Sequence, residues 1–187
     1  MPILKSEPSL FPENLFQGEE TGTQCWWALY TMSRQEKTLM RYLFQRQISY
    51  YCPIVPNQYR SPAGRQRVSH LPLFSNYVFL RGEEEDRVTA LSSGNVSRIL
   101  PILEPARFQD QLRSIFLSIE AGRQLTIESD FEPGDLVRVK RGALTGAVGT
   151  VIQRRGERRL LLAVEFMQQC VSVSIEDWET EPMKSGL

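Results

Sequence analysis

The stretch HLPLFSNYVFL, from His70 to Leu80, decides how the first half of the chain is organised. It is strongly hydrophobic, but a proline and the polar pair Ser75–Asn76 interrupt it. A buried strand does not normally contain a proline and a turn-forming asparagine. The sequence therefore predicts a break at Ser75–Asn76 and raises the question of what the aromatic rings on either side do.

The segments before this stretch follow strand and helix patterns. CWWALYTM, from Cys25 to Met32, is typical of a buried strand. Ser33 and Glu36 have the spacing of a capping box, in which each side chain binds the other residue's backbone N–H. They open a predicted helix that ends near Gln47. SYYCPIVPNQY then indicates a strand interrupted by prolines, and RSPAGRQR the tip of a hairpin.

The segments after it complete an α+β pattern. GEEEDRVTAL is predicted to be a short helix, because acidic residues suit the positive end of the helix dipole. SRILPI is predicted to be a strand. A longer helix carries an apolar stripe at helical spacing, formed by Phe108, Leu112, Ile115, Phe116 and Ile119. This order of elements predicts helices packed on an antiparallel sheet.

The second half of the chain has the pattern of β structure. Short alternating segments such as DLVRVK, RLLLAVEF and CVSVSI follow one another closely. Such a series predicts a small barrel, which hides the edges of its sheet. The predicted organisation is a disordered tail at 1–24, an α+β domain at 25–121, a linker at 122–131, an all-β barrel at 132–181 and a tail at 182–187.

The composition of the chain excludes several classes of function. The chain has 22 Lys and Arg and 22 Asp and Glu among 187 residues, so any nucleic-acid contact needs a local basic cluster. Cys25, Cys52 and Cys170 lie far apart without a C-x-x-C spacing, which favours neither a zinc site nor a disulfide framework. No stretch reaches the ~18 apolar residues of a membrane span, and no signal peptide is evident. We expect a cytoplasmic monomer with no metal, no cofactor and no membrane contact.

No arrangement typical of catalysis stands out. His70 is the only histidine, and a pair with Cys52 lacks an orienting third group. Consecutive acids such as Glu83–Asp86 point in different directions on a helix, and the glycines of the second half lack the Lys–Ser/Thr of a phosphate loop. We therefore expect a binding protein and not an enzyme.

Two sets of motifs resemble a known family. Pro133–Val139, followed by Gly142, Gly146 and Gly149–Val151, resembles the KOW motif, in which a glycine-centred turn joins two barrel strands. WWALYT, YYCPIVP, PLFSNYVFL and VSRILPI resemble, in this order, the N-terminal domain of the NusG family, and the resemblance covers residues 26–180. Asn76 and the segments PLF, GALTG and RLLLAVEF look more like the specialised RfaH-like and UpxY-like paralogues than the general factor.

The resemblance implies a transcription elongation and antitermination factor that reduces pausing or termination. Its first domain would bind the clamp helices of the largest RNA polymerase subunit through an outward apolar patch. The residues that match this patch are Tyr30, Phe74, Tyr77 and Phe79. Ser75 departs from the family, which usually has proline there. Taken without the resemblance, aromatic residues in strands are mostly core residues.

The resemblance also implies further contacts. Contact with non-template DNA is assigned to Arg34, Lys37 and Arg41 on the first helix and to Arg65 and Arg67, beside Arg60, in the hairpin tip. For the helix, a solvated polar face is the alternative. The barrel would bind ribosomal protein S10 or the termination factor Rho through Leu144 at a loop tip, unless Leu144 folds back onto the barrel core.

A KOW barrel by itself also permits a rival function, that of a ribosome-associated RNA-binding protein. This hypothesis requires basic charge on the barrel, and QRRGERR supplies Arg154, Arg155, Arg158 and Arg159.

Overall fold

The computed structural model describes residues 8–17, 24–62, 64–128, 136–139, 141–154, 157–164, 169–174 and 180–182. The chain forms two compact units, Met1–Pro105 and Ala106–Leu187. Within the described part of the chain, no helix is long and apolar enough to span a membrane.

The described residues of the first unit form seven strands and two helices. The strands are β1 (Leu10–Phe11), β2 (Cys25–Thr31), β3 (Ser49–Tyr51), β4 (Ile54–Arg60), β5 (Gln66–Pro72), β6 (Tyr77–Gly82) and β7 (Val96–Pro101), and the helices are α1 (Glu36–Gln45) and α2 (Glu84–Leu91). Five strands form an antiparallel sheet in the order β1-β3-β6-β2-β7, while β4 and β5 form a separate two-stranded sheet. The prediction of an antiparallel sheet with helices is confirmed.

One face of the five-stranded sheet packs against α1. Alternate residues of the central strands, such as Leu29 and Val78, point to this face because strand side chains alternate with a period of two. Helix α1 contributes Leu39, Met40 and Leu43, whose spacing places them on one side of the helix. Burial of these apolar side chains holds the helix on the sheet.

The segment before β2 belongs to the fold. Strand β1 pairs with β3, and Leu10, Leu15 and Phe16 are buried. The Phe16 ring stacks on Trp26 with 6.3 Å between ring centroids. The prediction of a disordered tail over residues 1–24 is therefore wrong for residues 8–17. Prolines and the absence of a period do not prevent a short apolar segment from adding to a sheet edge.

The start of α1 differs from the prediction. The helix begins at Glu36, and its N-cap residue, Gln35, makes no side-chain capping hydrogen bond. The predicted capping box from Ser33 to Glu36 is therefore wrong, and the helix ends at Gln45 instead of Gln47. The Glu36 carboxylate instead accepts a hydrogen bond from the backbone N–H of Asn76, at 2.8 Å.

Helix α2 confirms the prediction made from its acidic start. Glu83 and Asp86 form a capping box, and the Glu83 N–H donates to Asp86 Oδ2 at 2.9 Å. Gly82 makes room for this cap, since a Cβ there would lie 2.3 Å from Asp86 Oδ2.

In the part of the second unit that the structure describes, six strands form an antiparallel sheet. Its elements are α3 (Pro105–Glu120), which begins at the last residue of the first unit, and the strands β8 (Leu125–Glu128), β9 (Leu136–Val139), β10 (Val148–Arg154), β11 (Glu157–Val164), β12 (Gln169–Ser174) and β13 (Thr180–Pro182). The strand order is β13-β9-β10-β11-β12-β8. Closure of this sheet into a barrel stays a prediction.

Helix α3 and strand β8 lie beside the predicted end of the first domain, at residue 121, and the predicted linker, at 122–131. The predicted stripe on α3 includes Phe108, Leu112 and Ile115, which are all buried. The Val148 N–H donates to Ser114 Oγ at 3.0 Å, so α3 is tied to the sheet of its own unit. Strand β8 lies within the predicted linker but pairs with β12, and the linker prediction is wrong for its four residues. The predicted domain boundary at residue 121 stays a prediction.

Candidate functional site: a pinned turn, a row of rings and a basic hairpin

The break predicted in the opening stretch is a turn centred on Asn76. Asn76 has a φ of +66°, in the left-handed region that asparagine tolerates better than most residues. Its N–H donates to Glu36 Oε1 at 2.8 Å, and its carbonyl accepts from the Thr31 N–H at 2.8 Å. The Tyr77 N–H donates to the Phe74 carbonyl at 3.3 Å. The turn is thus fixed to the end of β2 and the start of α1.

Four aromatic side chains beside this turn form a continuous row. Tyr30 contacts Tyr77 edge-to-face with 5.2 Å between centroids, Tyr77 stacks on Phe79 at 6.4 Å, and Phe79 meets Phe74 at 6.2 Å. These distances lie in the range of favourable aromatic pairs. We call these four residues the ring row. The structure brings together all four residues that the resemblance assigned to one patch.

The ring row runs from the surface into the core. Tyr30 is 37% exposed and Tyr77 is half-buried, whereas Phe79 and Phe74 are 0% and 1% exposed. The prediction that the Phe74 ring faces outward is wrong, and Phe79 is likewise no surface contact. The reason is the turn itself, which sends Tyr77 toward solvent while Phe74 folds back onto Phe79.

Strand register adds a cation to the exposed end of the ring row. Tyr30 lies between Tyr77 on β6 and Arg98 on β7, and Arg98 is exposed. Burial raises the pKa of the Tyr77 phenol above its ordinary value, the neighbouring Tyr30 adds to this rise, and Arg98 opposes it. The Tyr77 phenol therefore stays neutral at physiological pH, and Arg98 supplies a positive charge beside it.

Arg98 and Met32 were not among the predicted site residues. Met32 follows β2 and exposes a large apolar side chain at the same end of the strand. No sequence pattern identifies Arg98 or Met32 as a site residue. The position of Arg98 depends on which strands pair and in what register. The pairing of β2 with β7 provides this information.

The predicted hairpin tip is confirmed. Strands β4 and β5 pair over their whole length, from Ile54 opposite Pro72 to Arg60 opposite Gln66. At the tip, the Ser61 N–H donates to the Arg65 carbonyl at 2.9 Å, and Gly64 adopts a φ of +74° that favours glycine. We call residues 54–72 the basic hairpin.

Charge is distributed very unevenly along the chain. Residues 37–82 contain no aspartate or glutamate, although the whole chain has equal numbers of acidic and basic residues. The cations of this range are Lys37, Arg41, Arg46, Arg60, Arg65, Arg67 and Arg81. Arg60, Arg65 and Arg67 are exposed on the basic hairpin. Overall composition hides this basic range, and a window along the sequence would have revealed it.

The basic residues predicted on the first helix do not share one helix face. Arg34 is exposed but precedes α1 and has a φ of +61°, so the prediction of a three-residue helical stripe is wrong for Arg34. Lys37 is half-buried and Arg41 is exposed, both on α1. Arg41 Nη2 donates to Thr38 Oγ1 at 3.4 Å.

The predicted loop-tip contact of the second unit is not exposed. Leu144 is fully buried, so its assignment as an exposed loop-tip contact is wrong. The alternative, that it folds back onto a barrel core, stays a prediction. Of the arginines in QRRGERR, Arg155 lies outside the described residues, and Arg159 is half-buried and donates to Ser172 Oγ at 2.7 Å. The side chains of Arg154 and Arg158 also lie outside what the structure describes, so the rival RNA-binding function stays a prediction.

The candidate nucleophile has no nucleophilic character in this fold. Cys52 is buried, and burial is the main cause that raises the pKa of its thiol, with the Glu36 carboxylate adding to the rise and Lys37 opposing it. A protonated, inaccessible thiol is a poor nucleophile. His70 is exposed on the basic hairpin. Among the described residues, no group of three or more side chains is placed to hold a metal ion.

Comparison with known proteins gives a family match that covers strands β2 to β7, helices α1 and α2, and most of α3. A family model described as "Transcription termination factor nusG" matches residues 24–117, half of the chain. The crystal structure of the MjSpt4:Spt5 complex, conformation B, matches with 18% identity over 86% of this chain and 99% of that chain. Its TM-score of 0.28 is too low to support any inference about fold or function. No curated protein matches the chain.

Proposed function

Because the chain belongs to the NusG family of transcription factors, we propose that it binds RNA polymerase during elongation through the exposed end of the ring row. The observation that carries this proposal is the surface pair of Tyr30 and Tyr77, in edge-to-face contact beside a pinned turn. The proposed partner element is the pair of clamp helices of the largest subunit, which the resemblance of the motifs implies.

The ring row suits an anchor that is fixed before binding. Tyr77 stacks on buried Phe79, and Phe79 packs against buried Phe74, so the Tyr77 ring is held in place by the core. A side chain that is ordered in the free protein loses little conformational entropy when it binds. In this proposal, Tyr30 and Tyr77 touch the partner, and Phe74 and Phe79 hold them in position.

The second proposed contact is with nucleic acid. Arg65 and Arg67 are exposed on the basic hairpin. The hairpin ends immediately before Leu73 and Phe74 in the chain. Arg34, Lys37 and Arg41 are proposed to add affinity through phosphates. The absence of acidic residues from 37 to 82 supports this contact, since nothing in the range opposes a polyanion.

The finer role follows from the resemblance alone. We propose that the factor acts as an RfaH-like or UpxY-like paralogue that reduces pausing or termination on selected operons. We propose that its second unit binds ribosomal protein S10 or Rho through a surface other than Leu144, because Leu144 is buried. The linkage of two binding units in one chain raises the effective concentration of the second contact.

The test is a binding measurement with core RNA polymerase. The double variant Tyr30→Ala/Tyr77→Ala is expected to bind at least about 30-fold more weakly, the loss typical of interface hot spots. Tyr59→Ala is the matched control, because it removes another exposed tyrosine of the same unit. Phe74→Ala is unsuitable, since the cavity at this buried ring destabilises the domain, and a loss of binding would then not report on a surface contact.

Each outcome of this experiment decides the proposal. Both variants are first compared with the wild type by circular dichroism and urea unfolding, so that loss of fold is recognised. If the folded double variant binds polymerase like the wild type, the ring row is not the contact. A parallel capture on ribosomal RNA addresses the rival function, which predicts retention of wild-type protein on RNA and none on polymerase.

A further inference from the structure

The segment at residues 8–17 crosses the edge of the five-stranded sheet and contacts both of its faces; we call it the strap. On the face that α1 covers, the Phe11 ring stacks on Tyr50 with 6.5 Å between centroids. Further along the strap, the Phe16 ring meets Tyr51 edge-to-face at 5.2 Å. Successive side chains of a strand point to opposite faces, so Tyr50 and Tyr51 hold the two strap rings on different sides of the sheet.

Polar groups of the sheet hold the strap near both of its ends. The Tyr50 hydroxyl donates to the Pro8 carbonyl at 2.8 Å. Arg81 Nη1 donates to the Leu15 carbonyl at 2.9 Å, and Arg81 is itself buried. Burial of a cation is costly unless hydrogen bonds satisfy it. The position of the strap on the second face is therefore specific.

On that second face, the strap lies beside the buried end of the ring row. Tyr51, which Phe16 contacts, is directly opposite Phe79 in the β3–β6 pair. Side chains directly opposite each other in an antiparallel pair are neighbours. Phe79 in turn supports Tyr77, which stacks on it at 6.4 Å. Buried rings thus connect Phe16 to the exposed end of the ring row.

We propose that the strap is a positioning element for polymerase binding, in which Phe16 fixes the Tyr77 ring through the buried rings between them. The inference rests on the proposed function, because it requires that Tyr77 touches the partner. The family match covers residues 24–117 and so assigns no role to the strap. Phe16 itself is buried and does not need to touch polymerase.

The course of the strap favours this role over that of a cover for the sheet edge. The pairing of β1 with β3 already occupies backbone groups at that edge. The residues after β1 are not required for this pairing, yet Leu15 and Phe16 are buried on the face of the ring row. Protein interiors are closely packed, so a cavity at one ring displaces the rings around it. A cavity at Phe16 therefore reaches Tyr51 first and Phe79 next.

The experiment measures binding of full-length variants to core RNA polymerase. Phe16→Ala is expected to weaken binding about 2- to 30-fold, the range for residues that act through intervening side chains. Phe16→Leu fills most of the space and is expected to bind nearly like the wild type. Phe11→Ala is the matched control, because it removes a strap ring from the other face of the sheet. It is expected to lower the free energy of unfolding and to leave binding unchanged, and an equal loss of binding in Phe11→Ala and Phe16→Ala would overturn the proposal.

A double-mutant cycle separates positioning from a general loss of stability. Circular dichroism first establishes that each variant is folded at the temperature of the binding measurement. In the Tyr77→Ala background, Phe16→Ala is expected to cause no further loss of binding, because the ring that Phe16 positions is gone. The same fold-loss with and without the Tyr77 ring would show that Phe16 acts independently of it, and the positioning role would be wrong.

Hydrogen exchange reports on the ring row without polymerase. The Tyr77 N–H donates to the Phe74 carbonyl at 3.3 Å. Exchange of this amide is expected to be faster in Phe16→Ala than in Phe11→Ala, and equal rates contradict the inference. If Tyr30→Ala/Tyr77→Ala loses polymerase binding but Phe16→Ala does not, only the inference fails. If Tyr30→Ala/Tyr77→Ala binds like the wild type, the proposed function fails, and the exchange rates alone then decide whether Phe16 positions Tyr77.

Discussion

The turn at Phe74–Tyr77, called here the pinned turn, and the basic hairpin are neighbours in the chain, but they differ in how strongly they are attached to the core. The hairpin ends at Pro72, and the turn begins two residues later at Phe74. The turn is fixed by a buried carboxylate, by the end of β2 and by buried rings. The outer part of the hairpin has its own two-stranded ladder and exposed side chains.

This difference explains how two adjacent segments, the hairpin and the turn that follows it, can make two kinds of contact. Aromatic anchors need a fixed shape, so their position is coupled to the core. Phosphate contacts act over a longer range and tolerate movement, so arginines function on a projecting arm. The physical prediction is a gradient: substitutions close to the turn change the free energy of unfolding, and substitutions on the hairpin leave it unchanged.

The largest effect is expected for Phe74→Ala. Phe74 is buried against Phe79, and removal of a buried ring leaves a cavity. The free energy of unfolding should fall by about 3–5 kcal/mol, measured by urea denaturation. Phe74→Leu fills most of the volume and should cost clearly less. A loss below about 1 kcal/mol for Phe74→Ala would mean that the ring is not part of the core.

The next effect concerns the carboxylate that holds the turn. Glu36→Ala leaves the Asn76 N–H without its partner in a largely buried environment. The expected cost is about 1–3 kcal/mol, the penalty for an unsatisfied buried donor. Glu36→Gln keeps an acceptor oxygen and should lose less than Glu36→Ala. Equal losses for both variants would indicate that the negative charge, and not the acceptor, stabilises the turn.

A smaller effect is expected at the centre of the turn. Asn76 has a positive φ, and a side chain without a local polar group adopts this conformation at greater cost. Asn76→Ala should destabilise the protein by about 1 kcal/mol, whereas Asn76→Gly should be close to neutral because glycine accepts positive φ. The reverse order in urea denaturation would show that the asparagine side chain, and not its backbone, determines the turn.

The sequence predicted the first unit well where local rules decide the outcome. A proline and an asparagine inside an apolar run indicated the turn, and Pro62 with Gly64 indicated the hairpin tip, because few residues satisfy such backbone conformations. Residues at a regular period indicated the apolar side of α3. The resemblance of WWALYT and PLFSNYVFL to family motifs assigned the four residues of the ring row to one patch, and they lie in one row of ring contacts. Their role in binding stays a prediction.

The sequence could not show which members of that group reach solvent. Tyr77 and Phe79 share one face of β6, but burial depends on what covers each position of that face. The same limit applies to Leu144 and to the segment at residues 8–17, whose burial results from tertiary packing. Glu36 was assigned to a local cap, although its partner lies forty residues away in the chain. Long-range hydrogen bonds of this kind leave no periodic signal.

The smallest change in the free energy of unfolding is expected for substitutions on the basic hairpin. This prediction tests whether the hairpin is independent of the core. The double variant Tyr59→Ala/Arg67→Gln removes two exposed side chains from opposite strands. Because neither contributes to the core, the free energy of unfolding should change by less than about 0.5 kcal/mol. Hydrogen exchange should show the same distinction, with hairpin amides exchanging faster than those of Val78 and Leu80 in the central strand β6. A loss as large as that of Glu36→Ala would mean that the hairpin is coupled to the core, and the proposed division between fixed anchor and projecting arm would be wrong.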